Sequence, residues 1–181
     1  MKADVTDISS PFGDQPRVTG VRVEAAGFVV PAAWDVESQY GGLDGVVTAY
    51  AGGDRARVAL RVGGRKLWGD YAWFDAAYIG GPNNRGYNNH RFAGDASLYG
   101  SASLDTWVAT IDNQVMPIRL GFVTFGDVGR VWLEGEDSKA WHASLGAGLL
   151  AQPAGVPLVV NLLAARSNEG TRIYFGFGYP F

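Results

Sequence analysis

Chemistry that needs a thiol is absent from this chain, because its 181 residues include no cysteine, and its two histidines, His90 and His142, stand far apart with no nucleophile pattern beside either. Neither histidine forms a metal-ligand spacing with carboxylates, and no Gly-x-Ser-x-Gly elbow occurs. Gly146-Ala147-Gly148 is too short for a dinucleotide or phosphate loop. No catalytic residue, metal site or cofactor follows, and the chain reads as non-enzymatic. The groups with useful chemistry are of another kind. Arg85 sits in an Asn-rich loop, and Asp105 and Asp127 lie in segments of alternating pattern. A guanidinium and carboxylates can lock two parts of a fold together, provided the fold brings them to one polar face.

The elements that must position them follow a period of two, which is the strand period. Residues 55 to 65 alternate most cleanly, with Ala56, Val58, Leu60 and Val62 on one side and Arg55, Arg57, Arg61 and Arg65 on the other. Seven further segments are expected to be strands: 21 to 30, 43 to 51, 95 to 111, 116 to 131, 141 to 152, 158 to 166 and 171 to 181. The last opposes Ile173, Phe175, Phe177, Tyr179 and Phe181 to Arg172, Tyr174, Gly176 and Gly178. Short connections at 53–54, 112–114 and 153–157 alternate with mostly longer ones at 31–42, 66–94, 133–140 and 167–170. Eight strands with short turns on one rim and longer loops on the other describe an all-β, antiparallel transmembrane β-barrel.

Composition agrees with that direction. Apolar residues make up 47% of the chain, so it folds, although its 26 glycines are roughly twice average usage. The net charge of −3 argues against nucleic acid as a partner. No apolar run is long enough for a membrane-spanning helix. The polar face is built from Arg, Asp, Ser, His and Gly, with few of the Lys and Glu that coat a soluble surface. Trp68, Tyr71, Trp73, Phe74 and Tyr78, then Trp107, Trp132, Trp141, Tyr179 and Phe181, fall near segment ends, as interfacial girdles do. Residues 1–19 are polar, lack the apolar stretch of a secretory signal, and are expected to be a flexible segment before a barrel domain at 20–181.

Three motifs carry a family resemblance. Gly80-Gly81-Pro82-Asn83-Asn84-Arg85-Gly86-Tyr87, with Arg91-Phe92-Ala93-Gly94-Asp95 after it, resembles the inward-folded loop of the BamA/TamA (bacterial surface antigen D15) superfamily, whose mark is an Arg-Gly-Tyr/Phe tip. Phe125-Gly126-Asp127-Val128-Gly129-Arg130-Val131-Trp132 resembles the family's Phe-x-Asp-x-Gly-x-Val-Trp strand, and Asp105 stands where the family has Glu. The end of the chain, with Tyr174, Gly176, Tyr179 and Phe181, resembles the C-terminal β-signal of Gram-negative outer-membrane proteins.

The resemblance covers the chain from about residue 20 onward. It corresponds to the last eight strands of a barrel that has sixteen in the family, without the POTRA modules that precede it there. It implies an outer-membrane location, a lipid-facing surface, and insertion of nascent outer-membrane proteins or translocation of a secreted polypeptide. It also implies a loop lock in which Arg85 of the Arg85-Gly86-Tyr87 tip meets Asp127 and Asp105, with Gly129 in the receiving strand. A second chain or an N-terminal half would complete the barrel. Two other readings remain at this point: a small, self-contained eight-stranded barrel that is structural or ligand-holding, and the barrel of a patatin-like or two-partner-secretion protein.

Overall fold

The computed structural model describes residues 19–32, 38–112, 116–136, 139–154 and 158–179. Eight strands form one antiparallel sheet: β1 (Gly20–Val30), β2 (Tyr40–Gly52), β3 (Ala56–Gly69), β6 (Ala96–Ile111), β7 (Ile118–Trp132), β8 (His142–Pro153), β9 (Val160–Ser167) and β10 (Gly170–Phe177). They pair in chain order, β1-β2-β3-β6-β7-β8-β9-β10. Six of the eight are 11 to 16 residues long, enough for a tilted strand to cross a bilayer, whereas β9 and β10 have eight residues each.

The segment between β3 and β6, expected as a plain loop, carries structure of its own. A 3-10 turn at Trp73–Asp75 precedes β4 (Ala77–Ile79), which pairs with β5 (Phe92–Gly94) as a separate two-stranded ribbon. The connection at 168–169 also departs from expectation. It is a tight two-residue turn, with Gly170 opposite Ser167 at its base and Gly170 at φ 139°, a backbone that glycine tolerates.

Alternation places the faces as the sequence predicts. Side chains of Val58, Leu60 and Val62 in β3, Phe122 in β7, and Leu145 and Leu149 in β8 are exposed on the outer face, as are Ile173, Phe175 and Phe177 in β10. Leu145 is 73% and Ile173 74% exposed, while Asp105 on the opposite face is 0% exposed. Large apolar side chains in water and carboxylates indoors invert the order of a water-soluble domain.

The sheet curls around its polar face. Arg57 in β3 and Tyr179 just past β10 stand five strand spacings apart, about 24 Å on a flat sheet at about 4.8 Å per step. Yet the Arg57 guanidinium carbon lies 3.4 Å from the centre of the Tyr179 ring. The concave side therefore forms a trough. One half is filled by an apolar cluster of Trp107, Val123, Phe125, Leu150, Val159 and Leu163, and the other by the β3–β6 loop.

The curl does not close. Among the described residues no ladder joins β1 to β10, so both edges are open and a self-contained barrel of eight strands is not what forms. Two aromatics expected at the interfacial girdles lie elsewhere. Trp107 is buried in the trough, lying across Gly121, where a Cβ would come within 2.8 Å of its ring. Tyr179 has left the outer row of Ile173, Phe175 and Phe177, because Gly178 takes φ 91° and reverses the alternation. By contrast Trp68, Trp73, Phe74, Trp132 and Trp141 are exposed along the rim that carries the long loops.

Candidate functional site

The loop enters the trough through three glycines that adopt left-handed backbone. Gly80 (φ 115°) and Gly81 (φ 64°) redirect the chain, and a bridge between Gly81 and Asn84 closes a tight turn over Pro82 and Asn83. Gly86 (φ 97°) then turns the tip, with no room for more: a Cβ there would lie 3.0 Å from that of Ser144 and 3.3 Å from that of Ser167. A side chain at 86 would be both strained and crowded.

Arg85 points from this tip to β7. Its Nε donates to Oδ2 of Asp127 at 2.8 Å and its Nη2 to Oδ1 at 2.6 Å, while its own backbone N–H donates to Oδ2 at 2.9 Å. Three donors from one residue thus converge on one carboxylate. Both are buried, Arg85 at 4% and Asp127 at 3% exposure. A desolvated pair is tolerable only with geometry of this quality.

The strand motif around Asp127 explains its spacing. Phe125, two residues before and on the same face, lies beneath the guanidinium at 3.6 Å, a cation–π contact. Gly129, two residues after, leaves the gap the loop needs, since a Cβ there would come within 3.1 Å of Ile79 Cδ1 and 3.4 Å of Asn84 Nδ2. Phe, Asp and Gly at alternate positions are therefore a platform, an anchor and a recess.

Neighbouring strands hold the rest of the tip. Asn84 Nδ2 donates to the His142 carbonyl at 2.7 Å and its Oδ1 accepts from Ser144 at 3.2 Å, both on β8. Ser167, at the end of β9, donates to the Gly86 carbonyl at 2.7 Å, and the Gly86 N–H donates to the Tyr174 hydroxyl of β10 at 3.0 Å. Tyr87 donates its hydroxyl to Asn168 Oδ1 at 2.8 Å, and its ring packs edge-on against Phe92 and His142. The tip is thereby bonded to four consecutive strands or their ends.

Asp105 does something other than expected. It is paired with Arg57, whose Nε and Nη2 donate to its Oδ2 at 2.9 and 2.6 Å, and it makes no hydrogen bond to Arg85. The reason is register: Arg57 of β3 stands directly opposite Asp105 of β6, so the nearest guanidinium comes from the neighbouring strand. The same Arg57 lies beneath Tyr179, so that ring stacks on a second buried ion pair.

Of the four C-terminal signal residues, Tyr174 reaches the loop tip and Tyr179 reaches Arg57. Gly176 makes room for Asn161, whose amide lies within 3.5 Å of where a Cβ would be and donates to the Gly178 carbonyl at 2.8 Å. Phe181 lies outside the described residues. Sequence reasoning missed Arg57, Asn84, Ser144, Ser167 and Asn168 as participants. Arg57 had signalled itself as an inward arginine, but the others are small polar residues of kinds that also occupy turns and solvated faces.

At the rim, Asp95 ties β3 to β7. It accepts from the Tyr71 hydroxyl and, at 2.5 Å, from the Glu134 N–H, while its main chain bonds Leu67 and Trp132. Burial, reinforced by the Asp95 carboxylate, pushes the Tyr71 hydroxyl up to about 12. The Tyr71 hydrogen bond in turn holds Asp95 below the usual carboxylate range.

Among the described residues no group of three or more His, Cys, Asp and Glu is placed to hold a metal ion. In comparison with known proteins, no family model, no curated protein and no solved structure matches the chain.

Proposed function

We propose that this chain forms part of an outer-membrane β-barrel of the BamA/TamA type, acting in the insertion of outer-membrane proteins or the passage of a polypeptide across that membrane. The observation that carries the reading is the inward loop, fixed by Arg85 on Asp127 inside a sheet whose outer face is apolar. An apolar exterior suits lipid, and the polar trough suits a wet lumen.

The open edges fit the same role. Hydrocarbon offers no partner for unpaired N–H and C=O groups, so β1 and β10 require strands beside them, from a second chain or from further strands of a barrel. A seam of that kind is also where an incoming strand can pair by edge addition. A structural or ligand-holding barrel complete in eight strands is less favoured, since among the described residues no ladder joins β1 to β10. The barrel of a patatin-like or two-partner-secretion protein shares the loop and the apolar exterior, and differs in the domain attached.

The test is reconstitution. The protein in phospholipid vesicles is mixed with a urea-unfolded outer-membrane porin, and folding of the porin is followed by its heat-modifiable band. Faster folding than in empty vesicles supports the insertion role. No acceleration, together with no polypeptide passage, rejects it.

A further inference from the structure

A cavity of about 470 Å3 lies between the β3–β6 loop and the inner face of β2, β3 and β6, on the opposite side of the loop from the Arg85 lock. Its wall includes Asp44, Arg65, Tyr78, Asn83, His90 and Tyr99. Two of these groups are conspicuous for what they do not do. Asp44 and Arg65 are directly opposed in the β2–β3 ladder and carry opposite charges, yet no ion pair joins them. The Arg65 Nε is enclosed and has no acceptor, and its guanidinium lies 5.2 Å over the Phe28 ring. The Arg172 Nε is enclosed without an acceptor as well, so what sets Arg65 apart is the cavity beside it and the carboxylate opposite it in the ladder.

The rest of the wall is prepared rather than loose. Arg61, two same-face steps down β3, contacts Asn83 Oδ1 at 3.4 Å and the Tyr99 hydroxyl at 3.3 Å. On the loop side, His90 holds a left-handed backbone (φ 55°) that histidine rarely takes, and its ring stacks on Tyr78 with centroids 4.5 Å apart. The two rings, tilted 33° to one another, line the cavity on its loop side.

We infer that this cavity binds a small zwitterion, its oxyanion on the Arg65 fork and its ammonium group on Asp44. A guanidinium fork matches a planar or tetrahedral oxyanion with two parallel hydrogen bonds. A carboxylate beside it repels a simple anion and rewards a ligand that brings its own positive charge. Tyr78 and His90 suit the short carbon chain between the two ends. The inference rests on the packing of the loop over the sheet and is independent of any role in insertion or translocation.

Titration calorimetry on the full chain in detergent tests it with three probes: phosphorylethanolamine, glycerol 3-phosphate and γ-aminobutyrate. Wild type is expected to bind phosphorylethanolamine saturably and at least about tenfold more tightly than glycerol 3-phosphate. Asp44→Asn removes that preference, and Arg65→Gln abolishes binding, while Arg65→Lys, which keeps the charge but loses the fork, recovers only part of it. Binding of γ-aminobutyrate in place of the phosphate identifies the oxyanion as a carboxylate and supports the zwitterion equally. Absence of saturable binding of both zwitterions overturns the inference. So does equal affinity for glycerol 3-phosphate, or binding that survives Arg65→Gln in a variant whose heat-modifiable migration matches wild type.

Discussion

Arg85 gives Asp127 three hydrogen bonds, two from its side chain and one from its own backbone, so a single residue at a loop tip satisfies a single carboxylate in the wall of the trough. Removing either partner leaves a buried charge without its fork of hydrogen bonds. Arg85→Ala is expected to lower stability by about 3–5 kcal/mol, as breaking buried ion pairs does. Arg85→Lys should rescue poorly, because an ammonium cannot reproduce the fork. Urea midpoints and the heat-modifiable shift on a gel read both, and equal heat-modifiability of wild type and Arg85→Ala would refute the lock.

The two acids differ in what they hold. Asp127→Asn should release the loop and expose Arg85 to limited trypsin cleavage. Asp105→Asn should leave that bond protected, since its partner is Arg57. Cleavage after Arg85 in both variants to the same extent would show that the acids act on one arginine after all.

Gly86→Ala meets both a left-handed backbone (φ 97°) and the Ser144 side chain. A loss of about 1–3 kcal/mol is expected. Gly53→Ala is the control, because a Cβ there has nothing within 4 Å, and its effect should stay within about 0.5 kcal/mol. Similar urea midpoints for the two variants would remove the tip geometry from the account.

The Tyr71–Asp95 bond gives stability two pH limits. Asp95 is held below its ordinary value of 3.8, so its contribution is present above that pH and is lost as pH falls through the lower folded value. Tyr71 is raised from 10.0 to about 12, so its contribution is intact below pH 10 and is lost as pH climbs between the two. Tyr71→Phe should lessen the alkaline decline in urea midpoint between pH 10 and 12. It should also shift the acid limb upward, because Asp95 loses the hydrogen bond that holds its carboxyl down. An unchanged alkaline limb would mean that another group titrates there.

Val62 lies near the middle of β3 on the outer face, 55% exposed. If that face meets lipid, Val62→Arg should cost about 2–4 kcal/mol, the range for a cation at the bilayer midplane. Vesicle flotation measures it as the fraction of chain that enters the bilayer. A variant that floats as well as wild type would place the face elsewhere.

Much of this architecture was legible from period-two alternation alone, which located all eight long strands and both faces of β3, β7 and β8. Alternation reports which face a side chain takes but not which residue stands opposite it. Asp105 was therefore assigned to Arg85, where cross-strand register gives it to Arg57. Tyr179 was placed on the outer row because the pattern carries no sign of a backbone reversal, and Gly178 supplies one. The short strands β4 and β5, three residues each, are below the length at which a period can be recognised. The cavity around Arg65 was invisible for a different reason, since it exists only where the loop and three strands meet.

The reversal at Gly178 also sets the dimensions of the seam. Its N–H is spent on the Val159 carbonyl at 2.6 Å, and the chain turns inward there, so the free margin of the sheet on that side is the eight residues of β10. The other margin, β1, runs for 11. A strand fastening to β10 gains about four outward-facing residues' worth of backbone bonds, since alternate residues of an antiparallel strand face each neighbour. If strands fasten to both edges, the two tapes of that zipper are unequal, and the shorter one, which stops two residues before the tyrosine clamped over Arg57, is where it would part first.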